Sequence, residues 1–333
     1  ISFGPLIGGY LVDDYSWHLI FDVNVPVGLA AILFAIFIQK EWRGARAGSF
    51  DWPGFLCVVC FMPLLIFALA RGNSPLNPEG WSSPEVIGCF AVAAAALIVF
   101  IVRELRCENP LLNLKLLGER NFGVSMAVLA IFGIGMLGGT YLLPLYMQKG
   151  LGYTAIMAGS VFLPVGLIQG VLSTCSGFLT RYIKPLFIAV TGILVMTLSF
   201  YFASRFTLHT THAQIMLVLY LRGFGMGLTF APLNDFSLMN LSQRDMASAA
   251  GISNSIKQLS GSVSIALLTV ILTGRTAFHS AQGGLSSAES YVAGISDDFL
   301  FVTFVSLASA LPFLWLLRPR RKAASFKSEG TGT

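Results

Sequence analysis

Six stretches of this chain, residues 52–70, 86–102, 121–148, 150–180, 185–204 and 299–317, contain no Asp, Glu, Lys or Arg. A bilayer core about 30 Å thick is crossed by about 20 such residues in an α-helix. In lipid every backbone N–H and C=O must be satisfied within its own segment, so uncharged runs of this length are helices. Their length and the lack of strict alternation argue against a transmembrane barrel. Composition agrees. Hydrophobic residues make up 55% and charged residues 11% of the 333 positions, with a mean hydropathy of +0.75. An average soluble domain carries about 25% charged residues. The roughly two soluble domains that this length would otherwise imply could not hide so much apolar surface.

The apolar pattern predicts nine complete spans, near residues 18–38, 54–70, 86–102, 122–147, 153–176, 185–204, 213–236, 247–273 and 299–317. A tenth apolar stretch, 1–12, is too short to cross and reads as the end of a helix. Turn-rich segments separate the spans, and the longest, 274–298, is expected to be a loop before the last one. Cytoplasmic loops carry the excess of Lys and Arg. One set of alternate loops, with the tail, holds fifteen Lys and Arg, including Lys40, Arg43 and Arg46, and the other set holds four. This alternation predicts a cytoplasmic carboxy terminus and an external Asp13–Asp14 turn. The basic RPRRK run near the end is then topogenic charge, and no nucleic-acid partner is needed to explain it.

Little in the chain points to enzymatic chemistry. Cys57 and Cys60 form a C-x-x-C spacing inside an apolar run with no second pair, and they read as small packing residues. His209 and His212 lie three apart without further ligands, so no metal is expected. Arg222-Gly-Phe-Gly-Met-Gly lacks the strand–loop–helix context of a phosphate loop. Its Gly223/Gly227 spacing, repeated at Gly4/Gly8 and Gly135/Gly139, is that of glycines that let helix backbones approach. No nucleophile–base pair and no nucleotide loop occurs, so no catalytic residue and no cofactor is expected.

The charges in or at the ends of spans carry more meaning. Asp22, Arg222, Asp235 and Lys257 each cost at least about 2.5–3.5 kcal/mol near a bilayer centre, so each should face a partner or a cavity. They either pair to fix helix packing or line a substrate or proton path. Polar neighbours extend the second group: Asn24, Asn234, Asn254 and Gln258, with Tyr141 and Gln148 seven apart on one expected helix face. Phe132, Met136, Phe162, Phe224 and Phe230 would line an apolar pocket if they face inward.

GPLIGG at residues 4–9 resembles the ending of the antiporter motif in the fifth helix of the major facilitator superfamily. SWHLIFDVNVPVG, YLLPLYMQKGLGYTAIMAGSVFLPVGL and MASAAGISNSIKQLSGSVSIAL resemble, in order, the entry to helix six, helices nine and ten, and helix thirteen of its fourteen-span drug:proton antiporters of the EmrB/QacA type. The resemblance covers nearly the whole chain. It implies an all-α polytopic membrane protein, a major facilitator fold lacking helices one to four and most of five. Residues 1–38 would end the amino-terminal six-helix half. Residues 39–121 would hold two inserted linker helices and cytoplasmic loops, 122–317 the carboxy-terminal six-helix half, and 318–333 a cytoplasmic basic tail.

The resemblance also implies efflux of amphipathic or cationic drugs across the cytoplasmic (inner) membrane by alternating access, coupled to protons, in the complete protein. The partners would be small amphipathic substrates, protons and the lipid bilayer, with a periplasmic adaptor in a two-membrane bacterium. A transporter of a metabolite, lipid or siderophore, and an inactive fragment or membrane scaffold, stay open as alternatives. Of the coupling machinery only Gly4, Pro5, Gly8 and Gly9 are carried over, as a tight Gly-lined contact between halves with a Pro-induced bend. The acidic residue of helix one and the arginine of helix four would lie upstream. His18, Leu19 and Asp22 depart from the family's pattern. Asp22 would either contact a cation or cap its helix near the amino end.

Overall fold

The computed structural model describes residues 3–38, 51–72, 74, 77–107, 110–282 and 284–316. Lys40, Arg43, Arg46 and the basic tail at 318–333 lie outside the described residues. Among the described residues the regular structure is helical throughout. A short α1, Phe3–Asp14, comes first. Among the described residues nine helices long and apolar enough to cross a membrane follow: α2 (Leu19–Ile38), α3 (Trp52–Gly72), α4 (Pro84–Arg106), α5 (Arg120–Gly150), α6 (Ala155–Leu179), α7 (Pro185–Ala203), α8 (His212–Leu238), α9 (Met246–Ala281) and α10 (Ser287–Phe313).

Helices α5 to α10 share one core, built on fully buried Phe122, Phe132, Tyr146, Phe200 and Phe299. Lipid tails are as apolar as leucine, so association in a membrane depends on close packing and interhelical hydrogen bonds. Helix α8 shows both. A Cβ on Gly192 of α7 would stand 2.8 Å from the Gly225 carbonyl oxygen, and one on Gly225 would stand 2.9 Å from that of Gly192. On another face, Cβ atoms on Gly223 and Gly227 would meet the carbonyl oxygens of Val165 and Gln169 in α6 at 2.9 and 3.0 Å. Buried hydroxyls donate across the same seams, Ser199 to Val218 O at 2.7 Å and Ser176 to Gly227 O at 3.1 Å. Ser264 of α9 likewise donates to Ile134 O of α5 at 2.7 Å.

Helices α3 and α4 pack against each other as a hairpin. Trp81 fills the space beside Gly72, where a Cβ would lie 2.6 Å from the indole. At the opposite end Arg103 Nε donates to Asp51 Oδ1 at 2.7 Å, and the Gly54 amide donates to the same oxygen at 3.1 Å. Burial pushes the Asp51 carboxyl up, and the Arg103 and Gly54 bonds outweigh it, leaving the group below the usual carboxylate range. Helix α2, in contrast, buries none of its residues from 24 to 38.

One expectation fails. The segment 274–298 is not a loop: α9 runs for 36 residues to Ala281, and α10 starts at Ser287 rather than near 299. A capping box begins α10, with the Glu289 amide donating to Ser286 Oγ at 3.2 Å and the Ser286 amide to Glu289 Oε2 at 2.8 Å. Polar residues that suggested a loop are paired between the two helices. Arg275 Nε and His279 Nε2 both meet Asp297 Oδ2, at 2.6 and 2.8 Å.

Candidate functional site

The glycine motif in α1 is split between two surroundings. A Cβ on Gly9 would lie 2.5 Å from Ala155 O and 2.8 Å from Ile156 Cα, at the start of α6. Reciprocally, a Cβ on Gly159 would run into the Pro5 carbonyl, 2.8 Å from its carbon. Only glycines at both positions permit this approach of α1 to α6. Asp13 then closes the crossing: its Oδ2 accepts from the Ile156 amide at 2.7 Å and its Oδ1 from the Ala155 amide at 3.3 Å. These are unpaired amides of a helix start, where a carboxylate is favoured. The bond to the Ile156 amide, chiefly, holds the Asp13 carboxyl below its usual range. Gly4 and Gly8 take no part, since a Cβ on either would meet nothing within 4 Å. The sliding surface expected at Gly4/Gly8 is therefore found one residue on, at Gly9.

The second arrangement is built on α5, α8 and α9. Arg222 is 3% exposed. Its Nη2 donates to the Met136 carbonyl at 3.0 Å and to the Thr140 hydroxyl. Gly139 makes room for it, because a Cβ there would lie 3.6 Å from the guanidinium carbon and collide with the Phe200 ring. Arg222 thus spends its charge on helix dipoles, and the acidic partner expected as one alternative is not among its described contacts. Thr140 is exposed. On α5 it lies between the side that meets α8, through Met136, and the side that meets α9, through Tyr141 and Thr269 at 3.1 Å.

The neighbouring face of α9 presents Asn254, Gln258, Ser262 and Thr269, spaced four, four and seven residues apart so that they share one stripe. Asn254 and Gln258 are exposed. Lys257 stands beside this stripe, its Nζ 5.8 Å from the centre of the Phe230 ring, a cation–π distance. Phe230 in turn meets Phe132 edge-on at 6.0 Å. Asn234 and Lys257 line one small cleft with Met126, Leu129 and Ser253. The structure therefore brings together Tyr141, Arg222, Asn234, Asn254, Lys257 and Gln258 on or just beneath one face.

The remaining sequence candidates are elsewhere. Asp235 is exposed on the side of α8 that carries Leu217 and Phe224, across from the Arg222 and Phe230 side that meets α5. Phe224 lies there too, 44% exposed, so it does not line an inward pocket. Asp22 is exposed and lies in the first turn of a four-residue helical turn, where a carboxylate is favoured. Asn24 donates to Ile20 O at 2.9 Å and braces that turn. Gln148 does not share a face with Tyr141, because residues 146–150 form a π-turn. Such a turn shifts the register of everything beyond it. Lys149 instead joins Tyr141 in lining a groove of about 430 Å³, with Thr269, Thr273, Thr276 and Tyr291. That groove, with Thr140 and Gly159, is not among the positions the sequence singles out, whereas Gly139 is. The seven-residue spacing of Thr269 and Thr276 was the groove's available signal.

The fold defines a multi-pass α-helical membrane protein in which polar side chains of α5, α8 and α9 gather along one face. The sequence model of the Major Facilitator Superfamily matches residues 1–265, and the chain belongs to that superfamily of transporters. It is 31% identical over 280 residues to the uncharacterized MFS-type transporter YhcA of Bacillus subtilis, covering 84% of this chain and 52% of that protein. It is 30% identical over 282 residues to the multidrug export protein EmrB of Escherichia coli, covering 84% and 54%. The lincomycin resistance protein LmrB of Listeria innocua is 25% identical over 321 residues, covering 95% and 67%. The chain spans about half the length of YhcA and EmrB.

Proposed function

We propose that the whole protein exports amphipathic compounds across the cytoplasmic membrane by alternating access, in exchange for protons. The observation that carries this reading is the mixed face of α5, α8 and α9. There Phe230, Met126 and Leu129 surround Asn234 and Lys257, and Asn254 and Gln258 extend the polar stripe. A surface that offers both aromatic area and scattered hydrogen bonds binds amphipathic molecules without strict shape demands. The relatives EmrB and LmrB, named for multidrug export and lincomycin resistance, support the same class. The α1–α6 crossing at Gly9 and Gly159 would be the seam between halves across which they rock. The residues from 122 onward would form the carboxy-terminal half, and α3 and α4 the inserted pair.

A second reading concerns substrate charge. The described charges on or beneath this face are Lys257 and Arg222 and that of the neighbouring groove is Lys149, all positive. On the carboxy-terminal side this favours neutral or anionic amphipaths over the cations that the family resemblance suggests. The test is accumulation of two matched fluorescent amphipaths, one cationic and one anionic, in cells expressing the full-length gene, with and without a protonophore. Export of either dye that stops on protonophore addition supports the proposal, and the preferred dye decides the charge. Equal accumulation of both dyes with and without expression refutes drug export and favours a metabolite or lipid as substrate.

A further inference from the structure

A buried acid at the other end of the bundle has no role in the face just described. Asp298 of α10 is 0% exposed, and among the described residues neither of its carboxylate oxygens has a hydrogen-bond partner. The register of α10 puts it on one stripe with Tyr291, Gly294 and Val302. Tyr291 lines the groove of about 430 Å³ between α5 and α9. Gly294 rests on Thr276 and Leu272, which line the same groove. Val302 touches α5 beside Gly138. Asp298 therefore sits directly behind the groove wall, between α5 and α9. Two further buried hydroxyls nearby, those of Thr276 and Ser290, also lack partners.

The ionisable groups around Asp298 are otherwise engaged. Arg275 and His279 of α9 both hold Asp297. Lys149, at the end of α5, lies over the Tyr291 ring at 5.9 Å. Tyr141 pairs with Thr269, and Tyr146 donates to Thr207 O. On α10, Glu289 is spent in the capping box. Helix α7 offers only Tyr201, which is exposed and paired with Arg205. An ionised carboxylate left in this position without a partner costs several kcal/mol. Binding one proton removes the charge. Intramembrane acids of this kind mark proton relays.

We infer that Asp298 is a proton-binding site of this transporter, loaded and unloaded through the groove between α5 and α9. The inference rests on the proton-exchange reading above. One proton from water in the groove adds to the carboxylate to give the neutral acid. The same proton leaves when the groove wall opens and the carboxylate gains water or Lys149 as partner. Lys149, Arg205 and Arg275 belong to the Lys/Arg-poor set of loops, so the groove would open to the outside.

The test uses the full-length protein in proteoliposomes. Infrared difference spectroscopy follows the C=O stretch of protonated carboxyls, and transport is measured twice: driven by a pH gradient, and as substrate counterflow without one. Asp298→Asn should remove one protonated-carboxyl band and abolish gradient-driven transport while leaving counterflow at the wild-type rate. Asp297→Asn should leave the band in place. A band and gradient-driven transport that both survive in Asp298→Asn overturn the inference. If the wild type itself shows no gradient-driven transport, the proton-exchange reading fails, and the band still decides whether Asp298 binds a proton. If Asp298→Asn does not fold, Asp298→Glu decides, because it keeps the carboxyl but must shift the band and the pH profile. An unshifted band and profile overturn the inference.

Discussion

Gly4, Gly8 and Gly9 lie in one helix and one motif, yet adding a single methyl should act oppositely at them. In Gly9→Ala the new Cβ would stand 2.5 Å from Ala155 O and 2.7 Å from its carbonyl carbon. Both are backbone atoms, so neither can rotate aside, and α1 must move away from α6 by about 1 Å to reach ordinary contact. Overpacking of this sort costs about 1–3 kcal/mol. Replacing glycine by alanine inside a helix returns up to about 1 kcal/mol in propensity. Gly4→Ala and Gly8→Ala gain that propensity without the clash, since nothing lies within 4 Å of either Cβ. The difference between Gly9→Ala and Gly4→Ala is thus about 1–3 kcal/mol, or roughly 5- to 150-fold in a docking equilibrium at about 1.4 kcal/mol per tenfold.

The amides of Ala155 and Ile156 report that equilibrium, because Asp13 protects them only while α1 is docked. Hydrogen exchange on the 333-residue chain should therefore be faster at these two amides in Gly9→Ala, and unchanged or slower in Gly4→Ala and Gly8→Ala. Equal acceleration by all three would show that the motif acts through backbone flexibility, and the close-approach reasoning would be wrong.

Asp13 adds a pH dependence of defined sign. Its carboxyl is held below the usual range by the Ile156 amide. The docking it supports is therefore fully present above the ordinary carboxylate pKa and is lost as pH falls through the depressed one. Ala155 and Ile156 exchange, corrected for intrinsic rates, should rise on acidification, and Asp13→Asn should remove the pH dependence. Arg222→Lys keeps the charge but loses the Nη2 group that donates to both Met136 O and Thr140. At about 1.5–3 kcal/mol for a hydrogen bond made by a charged group, it should lower the thermal midpoint in detergent, whereas Thr140→Ser should leave it near wild type. Gly192→Ala puts a methyl 2.8 Å from Gly225 O. It should cost about 1–3 kcal/mol by overpacking, while Gly170→Ala, with nothing within 4 Å, should not destabilise the protein.

The spans were legible because their signal is one-dimensional. An uncharged run of bilayer length has one stable backbone solution in lipid; seven of the nine expected spans coincide with helices within a few residues, and the eighth runs on to Ala281. The ninth was misplaced for a physical reason. Arg275, His279, Asp297 and Asp298 break the apolar run, and a hydropathy reading cannot see that three of them neutralise one another across α9 and α10. The same blindness hid Asp298, whose neighbour Asp297 takes the cations while Asp298 turns inward. Spacing within one helix is readable, and Asn254 and Gln258 do share a face. It fails where the helix changes pitch, as the π-turn at 146–150 does when it exchanges Gln148 for Lys149.

Residue type alone also misleads about charge. Arg222, Lys257 and Asp235 were equal candidates by sequence, yet they occupy three different environments. Arg222 lies inside the bundle, bonded to a carbonyl and a hydroxyl. Its positive charge serves α5–α8 packing and leaves only the edge of its guanidinium near Thr140 for anything else. Asp235 sits on the outward side of α8. Lys257 alone stands at the border of aromatic and polar surface, within 5.8 Å of the Phe230 ring centre. Held there by a ring, and with no carboxylate partner among the described residues, it has no described salt bridge to break before it meets a substrate. That makes Lys257, more than either of the other two, the charge whose removal should change what the transporter accepts rather than whether it folds. Lys257→Gln should accordingly shift the ratio of anionic to cationic dye export toward the cation at an unchanged thermal midpoint. A lowered midpoint with an unchanged ratio would return Lys257 to the role of packing charge.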